Sequence, residues 1–153
     1  MEAERHPTVP DAIGAMDRMI ATMIVGQQEF ARRFGLSVTD LVCFAYVLEA
    51  GNTPVTAGDL ATRAHVTTGA ITGVLNRLEG RGFVARKPDP ADRRRVLVVA
   101  QPTAVEQAMT LYGPFYERLA ELFGGYTPDE LAVLTDWFTR AGDVARTFLE
   151  ESR

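Results

Sequence analysis

Apolar residues recur along this chain in steps of three and four, the spacing that lines one face of an α-helix, in stretches separated by glycine and proline. The first stretch runs from residue 11 to 34, where Ile13, Met16, Ile20, Met23, Gln27, Phe30 and Phe34 form a seam with heptad spacing. Gln27 is its polar member, a residue that sets register, lines a cavity or is simply solvated. Gly35 ends this predicted helix, because glycine reaches the left-handed conformation that closes a helix without steric cost. Thr39 is positioned to cap a second helix, in which Leu41, Val42, Phe44, Ala45, Val47 and Leu48 leave almost no polar face. Such a helix is largely buried. It closes at Ala50-Gly51-Asn52-Thr53-Pro54, before a short extended link.

The pattern then becomes shorter and more charged. Thr56 with Asp59 three residues on is a capping box, and Leu60, Ala61 and Ala64 face inward from the short helix it starts. Arg63 to Val66 form a turn, after which Thr67 or Thr68 caps a further helix with Ile71, Val74, Leu75 and Leu78 as its apolar stripe. At about 100° per residue, the opposite face carries Gly69, Thr72, Gly73, Asn76 and Gly80, with Arg77 at its margin. Glycine inside a helix costs roughly 1 kcal/mol relative to alanine, so several on one face call for a reason. Close approach to a partner such as a DNA groove supplies one. After Gly82, residues 83 to 87 predict a strand, the prolines of Pro88-Asp89-Pro90-Ala91-Asp92 force a turn, and Val96 to Val99 return as a second strand. Arg93, Arg94 and Arg95 give this hairpin a basic tip.

Two more helical patterns follow. Ala104, Ala108, Leu111, Phe115, Leu119 and Leu122 share one face, with a kink or break expected at Gly113-Pro114 and a stop at Gly124-Gly125. Thr127-Pro128-Asp129-Glu130 is a strong helix start, and Leu131, Leu134, Phe138, Ala141, Ala145 and Phe148 continue from it. Seams at both ends of the chain suit either an intertwined dimer, through Ile13 and Ile20 with Leu131, Leu134, Phe138, Ala145 and Phe148, or a bundle in which one chain packs its own ends together. Pairing is favoured because a helix-turn-helix reads two half-sites one turn apart when dimeric.

A length of 153 residues with 46 % hydrophobic composition fits one compact subunit. The formal charge of −4 argues against a nucleic-acid partner only until its distribution is considered. Residues 55 to 100 hold eight basic side chains (Arg63, Arg77, Arg81, Arg86, Lys87, Arg93, Arg94, Arg95) against four acids (Asp59, Glu79, Asp89, Asp92), a net +4, which leaves −8 elsewhere. Phosphates respond to local potential within a Debye length of about 8 to 10 Å, so a basic reader on an acidic body is compatible with DNA. No apolar run approaches the roughly 18 residues needed to span a bilayer, and Met1 to Pro10 lacks the order of a signal peptide. Cytoplasmic location is expected, and the lone Cys43 agrees with a reducing compartment.

In Leu78-Glu79-Gly80-Arg81-Gly82-Phe83-Val84 and, more specifically, Asp89-Pro90-Ala91-Asp92-Arg93-Arg94-Arg95, the chain resembles the MarR-type winged helix-turn-helix transcriptional regulators. The resemblance implies a mainly α fold with a small β-hairpin wing: a winged helix-turn-helix over 36–100, flanked by a helical dimerisation region over 11–34 and 102–150. It further implies a homodimer with one recognition helix per subunit in successive major grooves of a pseudo-palindromic operator, the wings reaching toward the minor groove. In that family the wing aspartate holds the arginine two positions on, here Asp92 and Arg94. A ligand-responsive repressor is implied, often with an aromatic or phenolic effector bound between body and reader. Gly73 departs from the pattern, since many relatives carry arginine there.

Candidate DNA contacts are accordingly Thr67, Thr68, Thr72, Asn76 and Arg77 on the recognition helix and Arg86, Asp92, Arg93, Arg94 and Arg95 in the wing. Asn76 suits adenine, and Arg77 suits guanine or phosphate. For an effector, Met16, Met23, Tyr46, Tyr112 and Phe115 are candidate lining residues, though methionine and aromatic stripes at helical spacing serve equally as core. His6 and His65 are the only histidines, so no cluster has metal-ligand spacing, no cofactor is expected, and no nucleophile or phosphate-loop motif points to an enzyme. Cys43 lies between Val42 and Phe44 in the most apolar helix, which favours a buried small hydrophobe over a redox sensor. Two other readings stay open: a winged helix that binds protein instead of DNA, and a regulator switched through the Cys43 thiol.

Overall fold

The computed structural model describes residues 6–51, 53–92 and 94–152. Six helices and a three-stranded sheet follow in the order α1 (Val9–Phe34), α2 (Val38–Ala50), β1 (Val55–Thr56), α3 (Ala57–Arg63), α4 (Thr68–Gly80), β2 (Val84–Pro88), β3 (Val96–Ala100), α5 (Pro102–Phe123) and α6 (Pro128–Glu151). They form two compact units, residues 1–106 and 107–153. The mainly helical architecture with a small antiparallel wing agrees with the expected fold class.

Four of these helices start from reciprocal capping boxes, in which a hydroxyl accepts an orphan amide and an acid three residues on accepts the cap's own amide. Thr56 with Asp59 and Thr127 with Glu130 are the pairs expected from sequence. The other two differ from expectation. α1 begins earlier than residue 11, at Val9, because Thr8 pairs with Asp11, and α2 is capped by Ser37 with Asp40, so Thr39 lies within the helix. Gly35 and Gly82 adopt φ of 63° and 76°, the left-handed conformation expected where helices end. α5 runs unbroken through Gly113-Pro114. Proline removes one intrahelical hydrogen bond, and the kink or break anticipated there does not interrupt the helix.

In the first unit, α2 packs against α1, α4 and β3, and α4 against α3 and β2. The core joins Cys43, Phe44 and Val47 of α2, Leu60 of α3, Ile71, Val74, Leu75 and Leu78 of α4, and Val98 of β3, all buried. The four α4 residues are the stripe read from the sequence, each contributing roughly 1.5–3 kcal/mol by its removal from water. Phe83, just beyond Gly82, stands edge-on to Phe34 (5.7 Å) and Phe44 (5.1 Å), locking the root of the wing to α1 and α2. β3 is the central strand of the sheet, paired with β2 from Val84↔Ala100 to Pro88↔Val96 and with β1 through Val55↔Val98 and Thr56↔Leu97. The expected two-stranded ribbon thus has a third strand, supplied by the link before α3. Pro88 is accommodated because β2 is an edge strand.

The second unit comprises most of α5 together with α6. Among its described residues Tyr116, Leu122, Val133, Phe138, Val144 and Phe148 are exposed, and Phe115 meets Tyr116 edge-on at 5.6 Å. α1 likewise exposes Ile13, Met19, Ile20, Met23, Ile24 and Val25. No helix of the described residues is long and apolar enough to cross a membrane.

Candidate nucleic-acid interface

The reader is built on α4, whose apolar stripe fixes which face remains outside. Thr67 caps it, its Oγ1 accepting the Ala70 amide at 3.2 Å. The turn before it bends through His65 at φ 53°, a left-handed conformation unusual for a residue other than glycine. Thr68, Gly69, Thr72 and Asn76 are exposed along α4, and the Thr72 hydroxyl donates to the Thr68 carbonyl at 3.0 Å. Glycine and threonine keep this surface low, so a partner can approach the backbone.

Two arginines brace the helix. Arg77 donates from Nε to Asp40 Oδ2 (3.0 Å) and from Nη2 to Asp40 Oδ1 (2.8 Å), a forked pair tying α4 to the first turn of α2. Asp40 is 0 % exposed, while the Arg77 side chain is 51 % exposed. Asp40 also accepts the Ser37 amide at 2.8 Å. Burial pushes the Asp40 carboxyl upward, but the hydrogen bonds from Arg77 and Ser37 and the charge of Arg77 prevail and hold it below the ordinary value. The expectation that Arg77 reads guanine or phosphate therefore meets a competing partner inside the protein. The clue was the capping box Ser37-x-x-Asp40, which places an acid at the start of α2, but its distance from Arg77 was not visible in the sequence.

Arg86 of β2 is the second brace. Nη2 donates to Asn76 Oδ1 (2.7 Å) and reaches the Thr72 carbonyl at 3.5 Å, Nη1 lies 3.6 Å from Glu79 Oε2, and the Arg86 amide donates to Glu79 Oε1 (3.1 Å). One wing residue thus spans two turns of α4. The expectation that Asn76 reads adenine therefore meets a competing partner for its carbonyl oxygen inside the protein. Arg81 has a third structural task, donating from Nη1 to the Phe34 carbonyl at 3.2 Å at the end of α1.

At the wing turn, Asp89 is the buried acid, accepting the Ala91 amide (2.8 Å) with Arg95 Nε 3.8 Å away, and its own amide donates to the Arg95 carbonyl (3.1 Å). Asp92 accepts the backbone amide of Arg94 (3.0 Å), so it organises the turn through the main chain. Arg94 and Lys87 are exposed, and Arg93 lies outside the described residues. The family resemblance implies Asp92 as the acid that holds the arginine two positions on; Asp89 lies six residues from Arg95, a separation that no helix or strand periodicity flags.

Of the pocket candidates, Met16, Met23 and Tyr46 belong to the first unit and Tyr112 and Phe115 to the second. The Tyr46 ring is covered by the Arg63 guanidinium at 4.1 Å. Shallow depressions on α6, one lined by Tyr126, Asp129, Glu130, Val133 and Leu134, include none of these residues. Cys43 is 0 % exposed, and burial first, then the charge of Asp40, pushes its thiol up to about 11.

The "MarR family" model matches residues 36–96. The uncharacterized HTH-type transcriptional regulator YcgE of Bacillus subtilis (strain 168) is 35 % identical over 127 residues, covering 83 % of this chain and 81 % of the relative. This chain belongs to the MarR family. It is a winged helix-turn-helix transcriptional regulator and not an enzyme. Its fold is that of Staphylococcus aureus MepR: a mutant from a multidrug-resistant clinical isolate superposes with a TM-score of 0.71 at 16 % identity, covering 92 % of this chain and 99 % of that one. A second MepR mutant, bound to an oligodeoxyribonucleotide, gives a TM-score of 0.59 at 16 % identity over 87 % and 97 % of the two chains.

Proposed function

We propose that this MarR-family regulator acts as a homodimer on a pseudo-palindromic operator, laying the Thr68–Asn76 face of α4 in the major groove while Arg94 of the wing reaches toward the minor groove. The observation that carries this reading is the bracing of α4. Arg77 fastens it to α2 and Arg86 fastens it to the wing, so a low hydroxyl and glycine face is held rigidly beside a cationic hairpin tip. Preorganisation of this kind lowers the ordering cost of binding. Affinity then comes mostly from phosphates, with Thr67, Thr68, Thr72 and Asn76 supplying contacts within the groove.

Pairing accounts for the apolar residues that α1 and α6 leave exposed, among them Ile13, Ile20, Phe138 and Phe148, with Leu131, Leu134 and Ala145 on the same helix as the latter two. Repression relieved by a small aromatic or phenolic effector completes the proposal and rests on the family alone. The test is fluorescence anisotropy with the duplex upstream of the protein's own gene and an unrelated duplex, each at low and near-physiological salt. Preference for the upstream duplex with a steep fall of affinity with salt is expected. Binding to neither, or a contact insensitive to salt, would overturn the reading in favour of a protein-interaction module.

A further inference from the structure

We infer that Arg86 sets the base preference of this regulator by fixing the Asn76 amide so that only its amino end faces the groove, making Asn76 a reader of guanine and not of adenine. The inference rests on the DNA-binding reading above and deepens it.

The argument begins with what each group can do. An arginine guanidinium has donors and no acceptor, so an asparagine beside it must turn its carbonyl oxygen toward it. Asn76 Oδ1 accepts from Arg86 Nη2 at 2.7 Å, a charge-assisted bond. Arg86 is held in place, because the same Nη2 reaches the Thr72 carbonyl at 3.5 Å while the Glu79 carboxylate takes its Nη1 (3.6 Å) and its backbone amide (3.1 Å). The Asn76 amino group has no partner among the described residues, and Asn76 is exposed on the same face of α4 as Thr72 and Gly69.

An asparagine reads adenine by using both ends of its amide, accepting from N6 and donating to N7. With the carbonyl turned toward Arg86 and one of its two lone pairs taken by a charged donor, the amino group is the end of the amide left without a partner. Guanine presents two acceptors, O6 and N7, on its major-groove edge, and the two amino hydrogens match them. Adenine sets its N6 donor beside its one acceptor and cytosine presents only a donor, so of the two purines guanine is the better match, while thymine offers O4 as a single acceptor. Arg86 is thus a positioning residue: it acts on the base through Asn76 without touching it.

The experiment is selection from a pool of duplexes with a randomised core, using wild type, Asn76→Asp and Arg86→Met, with melting temperatures measured in parallel. Wild type is expected to favour guanine over adenine by roughly tenfold at one position of each half-site. Asn76→Asp keeps a partner for Arg86 but has no donor, so that position should lose its guanine preference while the others keep theirs. Arg86→Met releases Oδ1, and the same position should turn toward adenine. A merely structural role for Arg86 would weaken every sequence equally and leave the preferences unchanged. If Asn76→Asp selects the same bases as wild type, or if wild type prefers adenine where Asn76→Asp becomes indifferent, the inference is overturned while DNA binding stands; should Arg86→Met fail to fold, Asn76→Asp still decides. A folded wild type that enriches no duplex overturns the regulator reading and the inference together.

Discussion

Replacing Arg77 by alanine separates bracing from reading. Asp40 is 0 % exposed and receives a forked pair of hydrogen bonds from Arg77, so truncation leaves a buried carboxylate with only its Ser37 contacts. Removing one partner of a fully buried pair costs roughly 3–5 kcal/mol. Because Arg77 is half in solvent and the Ser37 amide remains, a smaller cost of about 2 kcal/mol is expected. In urea, at fixed protein concentration, that corresponds to a midpoint lower by about 1 M. The pH dependence has a definite sign. In the wild type the Asp40 carboxyl lies below its ordinary value, so its stabilisation is present above the unfolded pKa, near 4, and is lost as pH falls through the lower folded value. Without Arg77 the upward push of burial is opposed only by Ser37, and protonation relieves the variant. The deficit should therefore be full near pH 7 and shrink below about pH 4. A midpoint difference below about 0.3 M, or one equal at pH 7 and at the acid end, would refute the clamp.

Arg94→Ala should leave the melting temperature within about 1 °C, since its exposed side chain lies at the wing turn, yet weaken DNA binding and reduce the slope of log affinity against log salt by about 1. Gly73→Ala should stabilise the protein by up to about 1 kcal/mol, because the added Cβ would lie 3.5 Å from Arg77 Nη1, an ordinary contact. Its affinity for DNA should fall nonetheless if the backbone approaches the groove there; anisotropy and thermal melting on the same sample separate the two effects. Cys43, buried with its thiol pushed up to about 11, should resist a thiol reagent at pH 8 until the protein is unfolded, and mild peroxide should leave DNA binding unchanged. Rapid labelling of the native protein would revive the redox reading.

The parts of the fold legible in the sequence are those governed by local rules. The α4 stripe of Ile71, Val74, Leu75 and Leu78, the Thr56 and Thr127 caps and the Gly82 stop each depend on residues within two turns of one another, and each is found in place. The parts that differ from expectation depend on context. Of the kink or break expected at Gly113-Pro114, the break does not occur, since helix on both sides carries through it. β1 has no signature in the sequence because a two-residue strand has no periodicity, and only pairing with the edge of β3 that β2 leaves open makes Val55 and Thr56 a strand. Thr39 lost the cap to Ser37 because Asp40 stands three residues after Ser37 and completes the box.

At the candidate interface the same limit appears in the arginines. Sequence supplies their number and their clustering over residues 55–100, which is enough to suggest a nucleic-acid partner, but a basic side chain near a reading helix can face the partner or hold the helix. Long-range partners decide which. Asp40 lies 37 residues from Arg77, Asn76 lies 10 from Arg86, and Phe34 lies 47 from Arg81, so each of these arginines is drawn inward by a group that no local pattern connects to it. Arg94 is an exposed cation at the described wing turn, with its backbone fixed by Asp92, beside Arg95, which is exposed but lies 3.8 Å from Asp89. Under the proposed function this gives a division of labour: the arginines of α4 and β2 fix the shape of the reader, small hydroxyl side chains and one oriented amide are assigned to the bases, and the wing tip is assigned the charge. A regulator built this way loses fold or base preference when its braces are cut, and loses affinity without either when its tip is neutralised.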